Sequence, residues 1–576
     1  MGKAWLGLVG GLAVILSGAL LAWLVQTAGG VSVRDVRFAG DRGTTLSALL
    51  YTPASATAET PAPGVLLSHG YINTREMQSA FAIELARRGF VVVAMDQPGH
   101  GYSDAIVGAN DFGGPAALRY LKSLPQVDRA NIGLAGHSLG GGPVVGAAAS
   151  DPDGYRSAVL LGSTPAIGAV FGSKARADLR NLALVFGGYD EFAELMWQVP
   201  RGFDVPRSPA LQALFGTGEP IVPGRIYGDL AAGTAHVLYV PPVTHPWEHF
   251  SSVGVAPAID WFQRTLEGEA RPLPPQHQIW FWKEVGTLIA FAGMAVVLLA
   301  AFEILLSVRW LHRLDRRPQP AAPVVPRRDG RWWLFFAVTA ALPAITYFPL
   351  MKVGMLFLPM PLYPQWITNQ LLVWALGGAA LTLVIGLASK APKPAVSADW
   401  PRSVVIAVLT VAVGYLTLVV VAGVLHVDYR FWVVGLKPLD LRHLGYVLAY
   451  LPLWTAFFVI ALRGLHSRLA VAGEGRWSHY FAGMAAMSLG FAALLAVQYG
   501  ALFLTGRLAM AEPLNTIIAI QFVPLLALVG VISVFTWRRT GSHLPGALIC
   551  ALLLTWYVSA GTATHWSPNF QLPMPG

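Results

Sequence analysis

Apolar residues come in runs along this 576-residue chain rather than being spread evenly. Trp5 to Val25 carries no charge and, at about 1.5 Å per residue in a helix, is long enough to cross a bilayer. A mostly polar stretch follows, from about Gly29 to Lys283. After it, apolar runs at roughly 285–307, 332–350, 366–388, 403–425, 444–462, 480–503, 514–536 and 544–562 alternate with short basic loops. The pattern predicts a transmembrane signal anchor at 1–28, a globular domain at 29–270, a linker at 271–284, a polytopic bundle of about eight helices at 285–562 and a C-terminal tail at 563–576. A cleaved signal peptide is the competing reading of the first run, because Thr27, Ala28 and Gly29 are small. Its apolar core is unusually long for that role.

Inside the polar stretch the periodicity switches repeatedly. VRDVRFAG and TTLSALLYTP alternate like an antiparallel pair of strands. GVLLSHG has the look of a buried strand, and REMQSAFAIELARRG repeats with the helical period. FVVVAMD is a strand ending at Asp96, followed by the turn QPGHGYSD and the helix FGGPAALRYLKSLP. A short apolar strand then runs into Ser138 and the small-residue helix PVVGAAAS. SAVLLGST, NLALVFG and HVLYVPP supply three more strands, and the helix GVAPAIDWFQRTL closes the domain. Alternating strands and helices predict an α/β fold: a mostly parallel sheet with helices on both faces, beside an all-α transmembrane bundle.

The most informative short segment is Gly136-His137-Ser138-Leu139-Gly140. A serine at a strand-to-helix turn sits in strained backbone, so small residues are needed two positions before and two after it. The turn lifts its hydroxyl clear of the sheet, where a histidine can deprotonate it. Three motifs in order carry a resemblance: His69-Gly70 after one strand, D-x-P-G-H-G-x-S from Asp96 after the next, and G-H-S-L-G-G after the third. Together they resemble the α/β-hydrolase superfamily over about Val33 to Leu266, most closely its dienelactone-hydrolase-like and lipase-like serine esterases. The bundle lies outside that resemblance.

The resemblance implies an acid after the next-to-last strand and a histidine after the last. Those loops hold Asp190 and His245. Ser138 would attack an acyl carbonyl, His245 would take its proton, and Asp190 would hold the imidazole. The backbone N–H groups of Tyr71 and Leu139 would meet the oxyanion. His69, Gly70, Gly136, His137 and Gly140 support the elbow, and no metal or organic cofactor is implied. Asp178 or Asp229 is an alternative acid, and His249 an alternative base. His100 and His137 fit packing or turn roles, and Asp96 fits tying down its own turn.

Other patterns compete. His245-Pro-Trp-Glu248-His249 spells H-x-x-E-H, a zinc-peptidase pattern that needs both histidines on one helix face. Here it follows a strand and has proline second. Gly99-x-Gly101 lacks the third glycine of a dinucleotide loop, since position 104 is Asp. The stretch between Asp190 and the last strand suits either a small apolar cap beside Ser138 or an ordinary helical excursion.

Charge then sets the topology. The net charge of +9 divides into roughly −3 over 29–283 and roughly +12 elsewhere, so the excess is in the loops between spans. Arg309, Arg313, Arg316, Arg317, Arg327, Arg328 and Arg331 cluster after the second span and assign that loop to the cytoplasm. Counted alternately, inner loops also carry Lys390, Lys393, Arg402, Arg463, Arg468, Arg476, Arg538 and Arg539, while outer loops carry Lys352, Arg430, Lys437, Arg442 and Arg507. The bias is about threefold and predicts a cytoplasmic N-terminus with the globular domain outside the cytoplasm. No basic stripe with interleaved aromatics lies on the polar domain, so no nucleic-acid partner is expected. The single cysteine, Cys550, sits in an apolar run and excludes an intrachain disulfide.

Ionisable residues within the spans are scarce, Glu303 being the clearest, which argues against ion-coupled transport. Asn369, Gln498, Asn515 and Gln521 fit interhelical hydrogen bonding, and Pro343, Pro452 and Pro524 fit kinks. The outer loop HVDYRFWVVGLKPLDLRH either docks beneath the domain and presents lipid-like acyl groups, or forms an interfacial aromatic belt. The expected activity is cleavage of carboxylic esters, lipid-like ones included, at a multi-pass membrane protein. The partners are then a small-molecule or lipid ester and the bilayer. A peptidase or amidase of the same fold, or a non-catalytic ligand-binding domain on a transport or assembly protein, are the alternatives.

Overall fold

The computed structural model describes residues 2–317, 327–388, 399–471 and 473–568. Lys390, Lys393 and the tail beyond residue 568 lie outside the described residues.

The chain opens on helix α1 (Gly2–Gln26) and enters an antiparallel pair, β1 (Val31–Ala39) and β2 (Thr45–Pro53), where the alternating sequence placed one. Then follow β3 (Ala62–Ser68), α2 (Ser79–Arg87), β4 (Val91–Met95), the single turn α3 (Ala109–Phe112), α4 (Gly114–Ser123), β5 (Val127–His137), α5 (Gly141–Ser150), β6 (Ser157–Leu161) and β7 (Leu182–Val185). Two short helices, α6 (Ala193–Trp197) and α7 (Pro209–Leu214), lead to β8 (Ile226–Tyr227), β9 (His236–Tyr239) and α8 (Ser252–Thr265). The nine strands form one sheet in the order β1-β2-β4-β3-β5-β6-β7-β9-β8, parallel from β4 through β9. Side chains alternate across it. Leu66, Leu134, Leu160 and Leu184 pack toward α4 and α5, and Val65, Ala135, Val159 and Val185 toward α2 and α8. Both faces are covered, as near-continuous apolar strands require. The chain leaves β3 to opposite sides, β4 on one flank and β5 on the other, so a crevice opens at the carboxyl ends of these strands.

Eight further helices follow: α9 (Trp280–Leu305), α10 (Gly330–Gly354), α11 (Trp366–Ala388), α12 (Trp400–Leu425), α13 (Leu441–Leu469), α14 (Arg476–Thr505), α15 (Pro513–Thr540) and α16 (Leu544–Gly561). Among the described residues, α1 and these eight are long and apolar enough to cross a membrane. α9 begins five positions before the expected span, inside the stretch read as linker. α1 lies against α9 glycine to glycine: a Cβ on Gly293 would come 2.9 Å from the Gly11 carbonyl, and one on Gly286 2.6 Å from that of Gly18. Such spacing lets apolar helices approach backbone to backbone.

The loops sort by charge as the residue count does. Glu303 pairs with Arg317 at 2.6 Å and with Arg539, and Arg402 Nε donates to the Trp310 carbonyl at 2.9 Å, joining basic loops at one end of the bundle. At the other end sit the α12–α13 loop, the α14–α15 loop and the segment after α16, against the α/β domain. The α12–α13 loop forms a hairpin, β10 (Tyr429–Phe431) with β11 (Val434–Leu436), that alternation alone did not signal. Its docking beneath the domain is the first of the two expectations for this loop. Trp432 Nε1 donates to the Pro246 carbonyl at 3.0 Å and its ring stacks on Phe250.

Charge holds this contact together. Arg75 forks onto Asp35 at 2.8 and 2.7 Å and reaches Glu76 at 3.2 Å. Glu76 in turn pairs with Lys437 at 2.7 Å, and Arg430 with Asp428 at 2.9 Å. Burial alone would raise the Glu76 carboxyl, but Lys437, Arg75 and Arg430 outweigh it and hold it well below the usual range. Removing one partner of a buried pair leaves an unanswered charge, so Lys437→Ala should lower unfolding stability by about 3 kcal/mol. The double variant Glu76→Leu/Lys437→Met should recover most of that loss in a thermal-unfolding measurement of the detergent-solubilised chain.

Candidate active site

β5 ends at His137, and the next residue, Ser138, takes φ +55°, a left-handed conformation that a side-chain-bearing residue adopts at a cost of about 1–3 kcal/mol. The neighbours explain why the turn needs glycine. A Cβ on Gly136 would strike the Gly140 carbonyl, one on Gly140 the Ser68 carbonyl, and one on Gly70 would lie 3.0 Å from the Ser138 Cβ. Ser163 Oγ donates to the Ser138 carbonyl at 2.6 Å and pins the turn. His69 stiffens the adjacent loop: its Nδ1 lies 2.7 Å from the Gly70 carbonyl and its Nε2 accepts from Gln97 N at 3.1 Å.

Asp190 and His245 come together across the ends of β7 and β9. Asp190 Oδ2 lies 2.7 Å from His245 Nδ1, and its Oδ1 accepts from Phe192 N at 2.7 Å. Both side chains are buried. Burial opposes charging of His245, but the Asp190 carboxylate outweighs it and leaves the imidazole above its ordinary 6.5. Ser138 and His245 line one cavity, yet no hydrogen bond joins Ser138 Oγ to the imidazole. Such links often tighten only around bound substrate. Tyr71, Leu139 and Gly70 line the same cavity.

The alternatives fall elsewhere. Asp178 and Asp229 are exposed, and Asp229 accepts from Ala232 N at 2.7 Å within its own loop. His249 is buried with neither ring nitrogen hydrogen-bonded, and burial, then His245, pushes it down to about 3. No carboxylate orients it as Asp190 orients His245. His137 packs its ring 4.6 Å from His245 and 4.5 Å from His249. His100 accepts from Ile72 N at 3.3 Å, and Asp96 ties its turn by accepting from Arg75 N at 2.8 Å and Tyr102 N at 3.1 Å.

The H-x-x-E-H stretch does not form an α-helix; residues His245–Trp247 make a 3₁₀ turn. His137, His245 and Glu248 nonetheless bring one ligand atom each within 4.8 Å of one another, the grouping that could hold a metal. A metal on His245 Nδ1 would have to displace Asp190. Glu248 Oε1 accepts from Gly187 N at 2.7 Å, and burial, then the Asp190 charge, pushes its carboxyl well above the ordinary range.

Sequence reasoning missed two participants. Glu191, next to the acid, accepts from His245 N at 2.8 Å through Oε2 and from the Tyr499 hydroxyl of α14 at 2.9 Å through Oε1. Burial first, then the Asp190 charge, raises it to about 7. The second is the segment after α16, read as a tail. Thr564 N donates to the Gly99 carbonyl at 2.8 Å, and His565 Nε2 lies 2.8 Å from the Tyr71 hydroxyl.

The cavity at Ser138 has a volume of about 370 Å³. Of the stretch weighed as a cap, only Phe192, Leu195 and Met196 reach it, while Leu211, Phe215 and Ile221 pack into the domain core. Ile167, Val170 and Phe171 of the domain line the cavity too, and the bundle adds Trp366 and Ile367 of α11, Val433 of the hairpin, and Leu514, Ile517 and Gln521 of α15.

The family model of the alpha/beta hydrolase fold matches residues 63–200. This span includes Ser138 and Asp190 and stops before His245, and the domain carries that fold. A "Putative non-heme haloperoxidase" of Mycobacterium phage D29 is 36% identical over 106 residues, 18% of this chain and 37% of the relative. The quorum-quenching protein AidA of Acinetobacter baumannii (strain MDR-ZJ06) is 30% identical over 148 residues, 24% of this chain and 46% of the relative. The chain thus spans less than half the length of these curated relatives. The solved dienelactone hydrolase from Anabaena variabilis is 17% identical, with 41% of this chain and 99% of that one covered and a TM-score of 0.29.

Glu191 gives the site a pH signature. With an ordinary value of 4.5 unfolded and about 7 folded, the folded chain holds the proton that the unfolded chain releases. Stability contributed by this group is therefore present below 4.5 and lost as pH rises through 7. Glu191→Gln should flatten the unfolding-midpoint profile over that window, and a profile that keeps its wild-type slope would count against the assignment.

Proposed function

We propose that this chain is a membrane-embedded serine hydrolase of carboxylic esters, with Ser138, His245 and Asp190 as its triad and the domain on the extracytoplasmic side. The observation that carries the reading is the buried 2.7 Å contact between Asp190 and His245 in the cavity that also holds the strained Ser138. In the proposed reaction Ser138 Oγ attacks the ester carbonyl as His245 Nε2 takes its proton. The imidazolium that forms keeps Nδ1–H on Asp190. The backbone N–H groups of Tyr71 and Leu139 meet the tetrahedral oxyanion. Collapse expels the alkoxide, which leaves as an alcohol with the proton from His245. Water, deprotonated by the same imidazole, then releases the acid and restores Ser138.

Apolar walls favour acyl groups over charged substrates. Fold and relatives support a hydrolase; the ester specificity is inferred from this lining. Sidedness rests on two facts that agree: the threefold basic bias of the opposite loops, and contact of the domain with loops carrying Arg430, Lys437 and Arg442.

A fluorophosphonate probe should label the detergent-solubilised wild type and fail to label Ser138→Ala. An unlabelled but folded wild type would leave a ligand-binding domain as the better reading. Activity should rise with pH as His245 loses its proton, along a limb above pH 6.5. Asp190→Asn should move that limb to lower pH and cut kcat by about three to four orders of magnitude.

A further inference from the structure

A second cavity lies beside the first. It is a groove of about 900 Å³ between α10 and α14, walled by Ala344, Ile345 and Phe348 on one side and by Ala493, Leu494 and Val497 on the other. From Ala341 to Lys352 it follows about 16 Å of helix at 1.5 Å per residue. At its deep end the helices touch, because a Cβ on Gly490 would strike the Ala340 carbonyl. From there it runs to Lys352 and Glu512, at the end of the bundle that carries the α/β domain.

Glu512 lines both this groove and the cavity at Ser138. Its Oε1 pairs with Lys352 at 2.6 Å, and its Oε2 accepts from Asn515 Nδ2 at 3.0 Å. The segment behind it is fixed, since Gln498 exchanges hydrogen bonds with Met510 at 2.7 and 3.1 Å and donates to Thr516 at 2.7 Å. The movable part is the lysine, whose side chain is 65% exposed, and an ion pair so open to water is cheap to part. On the bilayer side nothing polar lines the groove below Lys352. On the site side, His249 is buried in the wall with both ring nitrogens unpartnered.

We propose that the substrate is a bilayer-resident long-chain ester. Its acyl chain enters laterally between α10 and α14 and passes Glu512 to bring the carbonyl to Ser138, with the Lys352–Glu512 pair as the threshold. This rests on the ester-hydrolase reading and adds the substrate class and its route. A chain that reaches the serine from within the bilayer never has to cross water, which an apolar acyl group would otherwise do at about 0.8 kcal/mol per methylene.

The test uses the full chain in phosphatidylcholine nanodiscs and two esters, 4-methylumbelliferyl palmitate held in the bilayer and water-soluble 4-methylumbelliferyl butyrate. Ile345→Trp and Val497→Trp fill the groove from its exposed walls, and Val384→Trp on α11 places the same bulk at an exposed position outside it. Palmitate turnover should fall at least tenfold in both groove variants, with butyrate turnover within twofold of wild type and palmitate turnover unchanged in Val384→Trp. Undiminished palmitate turnover in the groove variants, or an equal loss on both esters, overturns the route while leaving the hydrolase reading standing. A wild type that cleaves neither ester and takes no fluorophosphonate overturns both.

Discussion

Burying charged loops at the rim of the sheet against an apolar bundle is possible only if the charges at the contact are answered. The chain does this with a continuous set of ion pairs: Asp35 with Arg75, Arg75 with Glu76, Glu76 with Lys437, and Asp428 with Arg430. An isolated carboxylate or ammonium at the depth of Glu76 and Lys437 would lose several kcal/mol of hydration, so each of these two depends on its partner. The arrangement is also anchored to the sheet, because Arg75 donates to Ser47 and to the Ala48 carbonyl of β2. Everything about the site follows from this contact, since the same bundle surface closes the cavity over Ser138.

Closure alters the chemistry it covers. At such burial the field of Asp190 on His245 is strong, and a second carboxylate nearby ionises less readily than in water. Glu191 and Glu248 show the consequence, both carrying raised carboxyls with burial and Asp190 as causes. The buried His137 and His249 are shifted the other way and stay neutral. Only His245, with a carboxylate on its Nδ1, keeps an affinity for protons above the ordinary value. One imidazole among three is thus set apart by its partner rather than by its burial, which all three share.

The elements of the sheet were legible because strand and helix periods differ and because glycine marks the turns that need it. Gly136, Gly140 and Gly70 each abut backbone or Ser138 in the way the small-residue pattern around the serine demanded. Asp190 and His245 could be placed through order along the chain, since each follows a strand whose apolar run is plain. What could not be read was anything built from tertiary contact alone. Glu191 drew no role from the sequence because its partners, His245 N and the Tyr499 hydroxyl, are 54 and 308 positions away. The stretch 191–235 suited a cap as well as a helical excursion, but Trp197 and Phe215 fill the core, and much of the covering surface comes from helices whose outward and inward faces are equally apolar. The segment after α16 carries no period at all, so its docking on Gly99 and Tyr71 left no trace in the pattern.

The bundle is therefore part of the site, and α14 is the element that joins its functions. Val497 walls the groove, Gln498 holds the segment that carries Glu512, and Tyr499 donates to Glu191, three consecutive residues facing three different partners. Successive positions on an α-helix point about 100° apart, so a helix between an open apolar groove, a neighbouring helix and the α/β domain can serve all three with adjacent side chains. The Tyr499 hydroxyl reaches Glu191, and Glu191 is bonded to the backbone of His245. On the proposed reading, α14 thus touches both the route of the acyl chain and the carboxyl that braces His245. No long-range relay is needed for this, because each hydrogen bond involved is a direct contact of 3 Å or less.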